Sequence, residues 1–374
     1  MEKLTIDDRA WTLQRWPLRR DDPLRAWDAA DEHILAHLRD EPPAPDASIL
    51  LVNDAFGALG VALSDRRPVS WNDSYISRLA LAHNLALNAM PDDRVDFVPG
   101  DRDPDGPFHL VLIKQPKSLA WFEEILLKVR PRLDPAARII TGGMIKHTPK
   151  RVYDLLSSRL GPTRTSLGWK KARLAFCTFD PHLEAPTEIP PAVYTTDGLS
   201  LVNRANVFSR ERLDAGTRLL LDHLPATEDV ISAADLGCGN GVLGLTLARR
   251  CPGADILFTD ASYQAVASAR ENAVHADLQH RMLRFTAADG LAEEPADSLD
   301  LILCNPPFHQ DQAVGDAIAW CMFGQARRAL RRGGEFRVVG NRHLGYHVKL
   351  KRLFGNADVM GANSKFVVLV STKM

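Results

Sequence analysis

Residues 233–241 read AADLGCGNG, a short apolar strand followed by a turn that carries three glycines. A helical segment from Val242 to Arg250 comes directly after this turn. Glycine adopts left-handed backbone conformations at little steric cost, so this composition favours a tight turn between strand and helix. Such a strand, turn and helix opens a Rossmann-like domain. The stretch therefore predicts an α/β fold with a parallel sheet.

The alternation of strands and helices extends through the first half of the chain. Residues 1 to 46 are predicted to be a lead-in with one helix from Leu24 to Arg39. Apolar runs and helical patterns then alternate, which predicts a series of βαβ units in a doubly wound sheet. The segments are a strand at Ile49–Val52, a helix at Ser77–Asn88, a strand at Leu110–Ile113, a helix at Leu119–Val129 and a strand at Arg138–Thr141.

The second half of the chain repeats the first. Residues 49–57 align with residues 233–241, Asp73 with Asp260, and Lys114 with Asn305. A proline-rich stretch near residues 180–191 indicates a linker. We predict an internal duplication of one α/β domain, with boundaries at residues 1–186 and 187–374.

The two copies differ where a ligand is expected. In the first copy Asn53 replaces Gly237, Ala55 replaces Gly239, and Lys114 replaces Asn305. A lysine has no hydrogen-bond acceptor, so it cannot hold an amino group. The first copy is therefore predicted to be degenerate, without cofactor or catalysis. It either grips the substrate or only stabilises its partner.

The four residues Asn305-Pro306-Pro307-Phe308 follow a short apolar strand. Prolines stop the strand and favour extended geometry at the residue before each of them. The Asn305 side-chain oxygen and the Pro306 carbonyl then offer two fixed acceptors, which match the two hydrogens of an exocyclic amino group. Phe308 offers a ring on which a planar base can stack. The alternative is an ordinary turn beside a core aromatic.

The glycine-rich loop has two interpretations. Residues 239–244 spell GxGxxG, and Asp260 lies 19 residues beyond Gly241, as in a dinucleotide-binding unit. Residues 235–241 instead resemble the loop that wraps S-adenosylmethionine. A dehydrogenase has no use for an Asn-Pro-Pro-Phe stretch, so we interpret the second copy as a methyltransferase.

Composition limits the possible classes of protein. No run of apolar residues approaches the length of a membrane span, and the first twenty residues are too charged for a signal peptide. We therefore expect a cytoplasmic protein. The five cysteines show no CxxC spacing, so neither a disulfide framework nor a metal site is predicted.

Charge is unevenly distributed, although the formal net charge is only −1. Between Leu110 and Asp180 there are fourteen Lys or Arg residues against five acids, and between Trp320 and Met374 eleven against two. Segregation of this kind predicts a basic face for phosphates. The alternative is a set of solvated helix faces.

Taken together, these motifs resemble the bacterial ribosomal RNA guanine-N2 methyltransferases, and specifically the enzymes of the large (23S) subunit. The resemblance covers nearly the whole chain, and no motif position departs from it. The stretches that carry it are residues 12–15, 26–32, 53–59, 169–174, 205–210, 235–241, 305–310 and 341–344.

The resemblance implies two tandem class I methyltransferase domains, the first degenerate. It also implies S-adenosylmethionine as methyl donor and the N2 amino group of a guanosine in 23S rRNA, free or in an assembly intermediate, as acceptor. The implied cofactor-binding residues are Asp235, Gly237, Cys238, Gly239, Asn240, Gly241, Asp260, Asp289 and Asn305. The implied catalytic residues are Asn305, Pro306, Pro307 and Phe308. The expected RNA contacts are Lys146, Lys150, Arg151, Lys170, Lys171 and Arg173.

Two further expectations concern assembly and alternatives. Two fused copies already form an internal pseudo-dimer, so a monomer without metal is expected. A small-subunit (16S) guanine-N2 methyltransferase remains an alternative, as does a non-catalytic RNA-binding protein with a vestigial fold. Protein-glutamine and DNA-amino methyltransferases use the same four residues, but the basic first copy argues against them.

Overall fold

The computed structural model describes residues 2–18, 24–225, 230–307 and 312–374, with the side chains of residues 312–316 left out. The chain separates into two compact units, Met1–Pro190 and Pro191–Met374. Each unit contains a two-stranded hairpin and a seven-stranded sheet.

The first unit holds nine strands and five α-helices in its described residues. The strands are β1 (Glu2–Ile6), β2 (Arg9–Leu13), β3 (Ile49–Val52), β4 (Val69–Asn72), β5 (Asp96–Pro99), β6 (Phe108–Lys114), β7 (Leu133–Met144), β8 (Thr163–Thr165) and β9 (Ala172–Thr178). The helices are α1 (Ala29–Asp40), α2 (Ala58–Ala62), α3 (Tyr75–Leu87), α4 (Leu119–Val129) and α5 (Lys150–Arg159).

The second unit has the same arrangement, again counted over its described part. The strands are β10 (Ala192–Thr196), β11 (Leu199–Asn203), β12 (Ser232–Leu236), β13 (Asp255–Asp260), β14 (Leu283–Ala287), β15 (Leu299–Cys304), β16 (Leu330–Asn341), β17 (Asp358–Ala362) and β18 (Phe366–Thr372). The helices are α6 (Ala215–Leu221), α7 (Val242–Arg250), α8 (Tyr263–His275), α9 (Gln312–Ala329) and α10 (Tyr346–Phe354).

The two sheets share one topology. Their strand orders are β5-β4-β3-β6-β7-β9-β8 and β14-β13-β12-β15-β16-β18-β17. In each sheet the first five strands run parallel, and the last two pair antiparallel. This is a tandem of Rossmann-like domains, and the predicted fold class is confirmed.

The duplication reaches further towards the N-terminus than the sequence analysis predicted. The lead-in contains the hairpin β1–β2, which has its counterpart in β10–β11 before the second sheet. The predicted helix from Leu24 begins only at Ala29, because the Asp28 side chain caps it and accepts hydrogen bonds from the backbone of Ala30 and Asp31.

Buried central strands hold each sheet between its helices. All four residues of β3 are buried, and so are the last four residues of β15. In the second unit, α7 lies close to β13 because Gly244 has no side chain. A Cβ atom at Gly244 would collide with the ring of Phe258. This close approach fixes the helix that follows the glycine-rich loop.

Within the described ranges, no helix combines the length and the hydropathy needed to cross a bilayer. The same ranges contain no group of three or more His, Cys, Asp or Glu side chains that is arranged to hold a metal ion.

Candidate active site

Four loops of the second unit meet at one edge of its sheet. Because β14, β13, β12 and β15 are parallel neighbours, their carboxyl ends lie side by side. The residues that follow or end these strands are Asp289, Asp260, the loop 235–241 and Asn305. The topology therefore brings together the implied cofactor residues and the described part of the implied catalytic stretch, at the edge where open α/β sheets bind ligands.

The three glycines of the loop all have positive φ, at 75° for Gly237, 54° for Gly239 and 84° for Gly241. A Cβ atom at Gly239 would meet nothing within 4 Å, and one at Gly237 would meet only the Met322 methyl group at 3.4 Å. At Gly241 a Cβ atom would lie 2.9 Å from the Ala269 Cβ atom. The first two glycines thus border open space, whereas Gly241 permits close packing against α8.

Asn240 and Cys238 are the other two loop residues that were predicted to bind the cofactor. The Asn240 amide donates to the Tyr194 hydroxyl at 2.7 Å and to the Asn203 Oδ1 atom at 2.8 Å, which ties the loop to the hairpin β10–β11. Cys238 is buried, and burial raises the pKa of its thiol well above the usual value. Their predicted contact with the cofactor stays a prediction.

The Asp235 side chain lies deep in the site and is only 1% exposed. Its Oδ2 atom accepts the backbone N–H of Gly244 at 2.9 Å, while its Oδ1 atom is buried without a hydrogen-bond partner. Burial raises the pKa of this carboxyl group to about 8. The side chain therefore combines a structural hydrogen bond to α7 with a buried oxygen that has no partner.

Asp260 stands at the end of β13, next to the glycine-rich loop. Its Oδ2 atom accepts from the Gly239 backbone N–H at 3.0 Å, and its Oδ1 atom from that of Ser262 at 2.9 Å. Burial raises the pKa of Asp260, although these hydrogen bonds oppose the shift. The carboxylate is thus fixed beside the open space over Gly239.

Asp289 lies half-buried after β14. The Gln325 side chain of α9 donates to the Asp289 carbonyl at 3.0 Å and accepts from the Leu291 backbone at 3.0 Å. Gly290, at a φ of 57°, makes room for Gln325, whose Oε1 atom would collide with any Cβ atom there. The sequence analysis did not find Gln325, because nothing in its local pattern links it to a loop 36 residues away.

The Asn305 side chain is held by two acceptors from the start of α6. Its Nδ2 atom donates to Asp214 Oδ2 at 3.1 Å and to Thr217 Oγ1 at 2.7 Å. Since a carboxylate only accepts, this contact fixes which end of the amide faces α6. The Asn305 Oδ1 atom is buried and has no hydrogen-bond partner. An acceptor is thereby left unpaired at the carboxyl end of β15.

The remaining residues of the implied catalytic stretch are described only in part. Pro306 is buried and Pro307 is exposed. Phe308 lies outside the described residues, so its predicted stacking role stays a prediction.

Thr217 is a second residue of this site that was not predicted from the sequence. Asp214 caps α6 by accepting the Thr217 backbone N–H at 2.9 Å, and the Thr217 hydroxyl then reaches Asn305. Asp214 itself is a recognisable N-cap residue at the start of a helix. The hydrogen bond between Thr217 and Asn305 joins residues 88 positions apart, so no local sequence pattern predicts it.

In the first copy, the position that corresponds to Asn305 is occupied by Lys114, which pairs with two carboxylates. The Lys114 ammonium group lies 2.6 Å from Asp28 Oδ1 and 2.8 Å from Asp31 Oδ2, at the cap of α1. Burial alone lowers the pKa of Lys114, but the two carboxylates outweigh it and raise that pKa. Where the second copy leaves an unpaired acceptor, the first therefore has a closed ionic cluster of Lys114, Asp28 and Asp31.

Sheet register corrects one of the predicted matches. Val52 pairs with Trp71, as Leu236 pairs with Thr259, so the residue that corresponds to Asp260 is Asn72 and not Asp73. The Asn72 side chain donates to the Asp54 carbonyl at 3.1 Å. The match failed because the sequence shows an acid near the strand end but not the register.

Asp54 takes over one structural task in the first copy. Its Oδ2 atom accepts the Gly60 backbone N–H at 2.8 Å, as Asp235 does for Gly244. Burial raises the pKa of Asp54 to about 7, and the nearby Asp31 charge adds to this shift. The folded chain therefore retains a proton that the unfolded chain, with an ordinary pKa of about 3.9, releases.

We expect Asp54→Asn to flatten the pH dependence of stability of the first unit. Because the folded-state pKa of Asp54 is raised, its contribution to the free energy of unfolding is fully present below about pH 4 and is lost as pH rises towards 7. The loss is on the order of a few kcal/mol, and an uncharged Asn avoids it. Urea unfolding at pH 5 and pH 8 measures the effect. Asp65→Asn, at a side chain that is 74% exposed, is the control. Equal slopes for Asp54→Asn and wild type would refute this expectation.

The six predicted RNA contacts all lie in the first unit. Five of them are exposed, and Arg173 is half-buried, with its Nε atom buried and without a hydrogen-bond partner. Lys170 contacts Glu32 at 2.7 Å and lies 4.4 Å from the centre of the Trp169 ring. Their role in binding RNA stays a prediction.

Comparisons with known proteins follow the same division of the chain. A family model described as the RLMG N-terminal domain matches residues 1–181, and one described as the methyltransferase small domain matches residues 198–370. A ribosomal RNA large subunit methyltransferase G from Ectopseudomonas mendocina is 50% identical over 96% of this chain and 97% of its own length. One from Pseudomonas putida is 48% identical over the full length of both chains.

Among solved structures, a T. thermophilus 16S rRNA N2 methyltransferase in complex with AdoMet and guanosine has the same fold. Its TM-score is 0.77 at 21% identity, and the match covers 100% of this chain and 98% of that one.

Proposed function

Because this chain belongs to the ribosomal RNA large subunit methyltransferase G family, we propose that it methylates the exocyclic N2 amino group of a specific guanosine in 23S rRNA. The methyl donor is S-adenosylmethionine, and the second copy of the fold carries the site.

One observation carries the choice of an amino group as acceptor. The amide nitrogen of Asn305 is consumed by Asp214 and Thr217, so its oxygen is the end left without a partner. A buried acceptor without a donor costs free energy unless a ligand supplies the donor. An exocyclic amino group supplies it, and guanine N2 is such a group. A carbonyl oxygen as methyl acceptor has no hydrogen to donate to this amide oxygen, and a hydroxyl group has only one, whereas an amino group has two.

The loop fits S-adenosylmethionine. Open space over Gly239 admits a ligand close to the backbone, and Asp260 beside it offers a carboxylate to a ribose diol. Asp235 and Asp289 complete the proposed set. When bound, the cofactor supplies an electrophilic methyl group on a sulfonium.

The residues of the chain act by positioning. Asn305 and the Pro306 carbonyl hold the two N2 hydrogens and so aim the nitrogen lone pair, which reduces the orientational freedom lost on reaching the transition state. The surplus proton leaves to water after the transfer. No side chain is required as a general base.

The decisive experiment is transfer of labelled methyl from S-adenosylmethionine to rRNA from a strain that lacks this protein. Large- and small-subunit RNA are assayed separately, free and as assembly particles, and the product nucleoside is identified. Label recovered as N2-methylguanosine only from large-subunit RNA supports the proposal. Label in small-subunit RNA would move the protein to the 16S alternative, and no label in any substrate would favour the vestigial alternative.

We expect Thr217→Val to lower the rate of methyl transfer by about fivefold while cofactor affinity stays the same. Valine preserves the shape but removes one of the two acceptors that orient the Asn305 amide, a contribution of about 1 kcal/mol. Thr217→Ser restores the rate. Single-turnover kinetics measure the effect, and Thr246→Val is the matched control, because that buried hydroxyl bonds only the α7 backbone at Val242. A rate loss shared by the control would contradict an orienting role.

A further inference from the structure

The hairpin β8–β9 in the first unit ends in a surface that combines exposed apolar and basic side chains. We call residues 166–171 the hairpin tip. Leu167 is 90% exposed, and Trp169 is 36% exposed. Lys170 and Lys171 are exposed beside them. With nine-tenths of its surface in water, Leu167 contributes little to the core and remains accessible to a partner.

A second loop extends this surface. The Ile145 backbone N–H donates to the Lys171 carbonyl at 2.8 Å, and the Ile145 side chain packs where a Cβ atom of Gly168 would lie, 3.0 Å away. Ile145 is 39% exposed, and Lys146 follows it on the surface. The two loops thus form one patch of three apolar side chains and three lysines.

The base of the tip is anchored to α1. The Trp169 ring lies 5.4 Å from the His33 ring, and Lys170 pairs with Glu32 at 2.7 Å. Glu32 also accepts from Trp27 Nε1 at 3.0 Å, so its charge is engaged inside the unit. Trp169 and Lys170 are therefore fixed, and Leu167, Lys171 and Lys146 are left as the more accessible part.

The turn at the tip is unfavourable for the residues that form it. Lys170 and Lys171 have φ values of 46° and 66°, and they close a two-residue hairpin between Trp169 and Ala172. Such turns favour Asn-Gly or Asp-Gly, and the hairpin β10–β11 of the same chain uses Asp197-Gly198, at 49° and 71°. Two lysines at these angles indicate that charge is needed at this tip despite the strain.

We propose that the hairpin tip binds an unpaired segment of the RNA substrate, with Leu167 against a base and Lys171 and Lys146 on neighbouring phosphates. Apolar contact with base faces together with cations along the backbone is typical of single-strand recognition. In a regular duplex the base faces are stacked on one another, so an apolar tip has no flat surface to meet there. This inference rests on the proposed function for the nature of the RNA.

The test uses the full-length protein and a short unstructured RNA oligonucleotide, with its duplex as the comparison. No cofactor is added, so RNA binding is measured independently of methyl transfer. We expect Leu167→Ser to weaken single-strand binding about fivefold and to leave duplex binding unchanged. Val359→Ser, at a valine of β17 that is 64% exposed, is the control and leaves both unchanged.

Lys171→Gly separates a binding role from a structural one. Glycine relieves the strain at φ 66°, so the first unit melts at a higher temperature. Single-strand binding weakens severalfold, and the slope of log K against log salt falls by about 0.7, as for the loss of one phosphate contact. Opposite changes in stability and affinity support the proposal.

Unchanged single-strand affinity in Leu167→Ser and Lys171→Gly would overturn the inference and leave this surface to a protein partner. An equal loss of single-strand and duplex binding in Leu167→Ser would overturn the contact with a base. Methyl transfer to rRNA by the wild-type protein is measured separately, because it tests the proposed function. Its absence in the wild type would count against the proposed function and not against the tip.

Discussion

Replacement of Asn305 by alanine is expected to lower the single-turnover rate of methyl transfer by about 10²–10³-fold, the usual effect of removing one preorganised hydrogen-bonding group from a reacting centre. The Asn305 oxygen is the buried acceptor that the structure leaves unpaired, and Asp214 and Thr217 fix its direction. The dissociation constant of S-adenosylmethionine, measured by calorimetry, stays within about threefold of the wild-type value because the loop 235–241 is unaffected.

The first copy provides the control for this variant. Gln115 follows Lys114 at the end of β6, and its side chain donates to the His147 carbonyl at 3.1 Å. Gln115→Ala should leave the rate unchanged, since only the second copy is proposed to catalyse. An Asn305→Ala enzyme with weak cofactor binding but a normal rate at saturation would show that Asn305 binds the cofactor and does not orient the methyl acceptor.

Replacement of Lys114 by methionine is expected to destabilise the first unit by about 3 kcal/mol, because it removes the cation from a partly buried cluster and leaves two carboxylates behind. The Lys114 and Asp31 side chains are 12% and 6% exposed, whereas that of Asp28 is 48% exposed, so solvent moderates the effect. Burial raises the pKa of Asp31. Urea unfolding at pH 7 measures the loss, which should shrink as pH falls and Asp31 is protonated.

Lys128→Met is the matched control for Lys114→Met. Lys128 also pairs with two acids, Asp103 at 3.3 Å and Glu124 at 3.0 Å, but these pairs are more exposed. Its loss should cost about 1 kcal/mol or less. Similar losses for the two variants would show that the Lys114 cluster is no stronger than a surface ion pair.

Much of the fold follows from local patterns. The strand, glycine turn and helix at residues 232–250 can be read from composition, because few other residues tolerate φ values near 75°. A similar pattern at residues 49–57 indicated that the domain is duplicated. The hairpins β1–β2 and β10–β11 were not predicted. Charged residues weaken the apolar pattern of β1 and β2, whereas the Asp197-Gly198 turn between β10 and β11 is a recognisable hairpin signal that was missed.

The candidate site was predictable only in part. Asn305, Asp260 and the glycine loop carry local signatures, so the sequence analysis found them. Thr217 and Gln325 contact residues that are distant in the chain. No local spacing in the sequence predicts such contacts. The match of Asp73 to Asp260 failed for a related reason, because strand register is a property of the paired sheet.

The ionic cluster at Lys114 also bears on how such a chain can change over time. A reversion of Lys114 to Asn would leave Asp31 as a carboxylate where the second copy has the hydroxyl of Thr217. A reversion of Asp31 alone would leave a buried ammonium group with only the exposed Asp28 as its partner. Each of these single substitutions is expected to lower the stability of the first unit. The first copy would still have Asn53 and Ala55 where the second copy has loop glycines. The closed cluster therefore opposes, one substitution at a time, any change of the first copy towards the arrangement of the second.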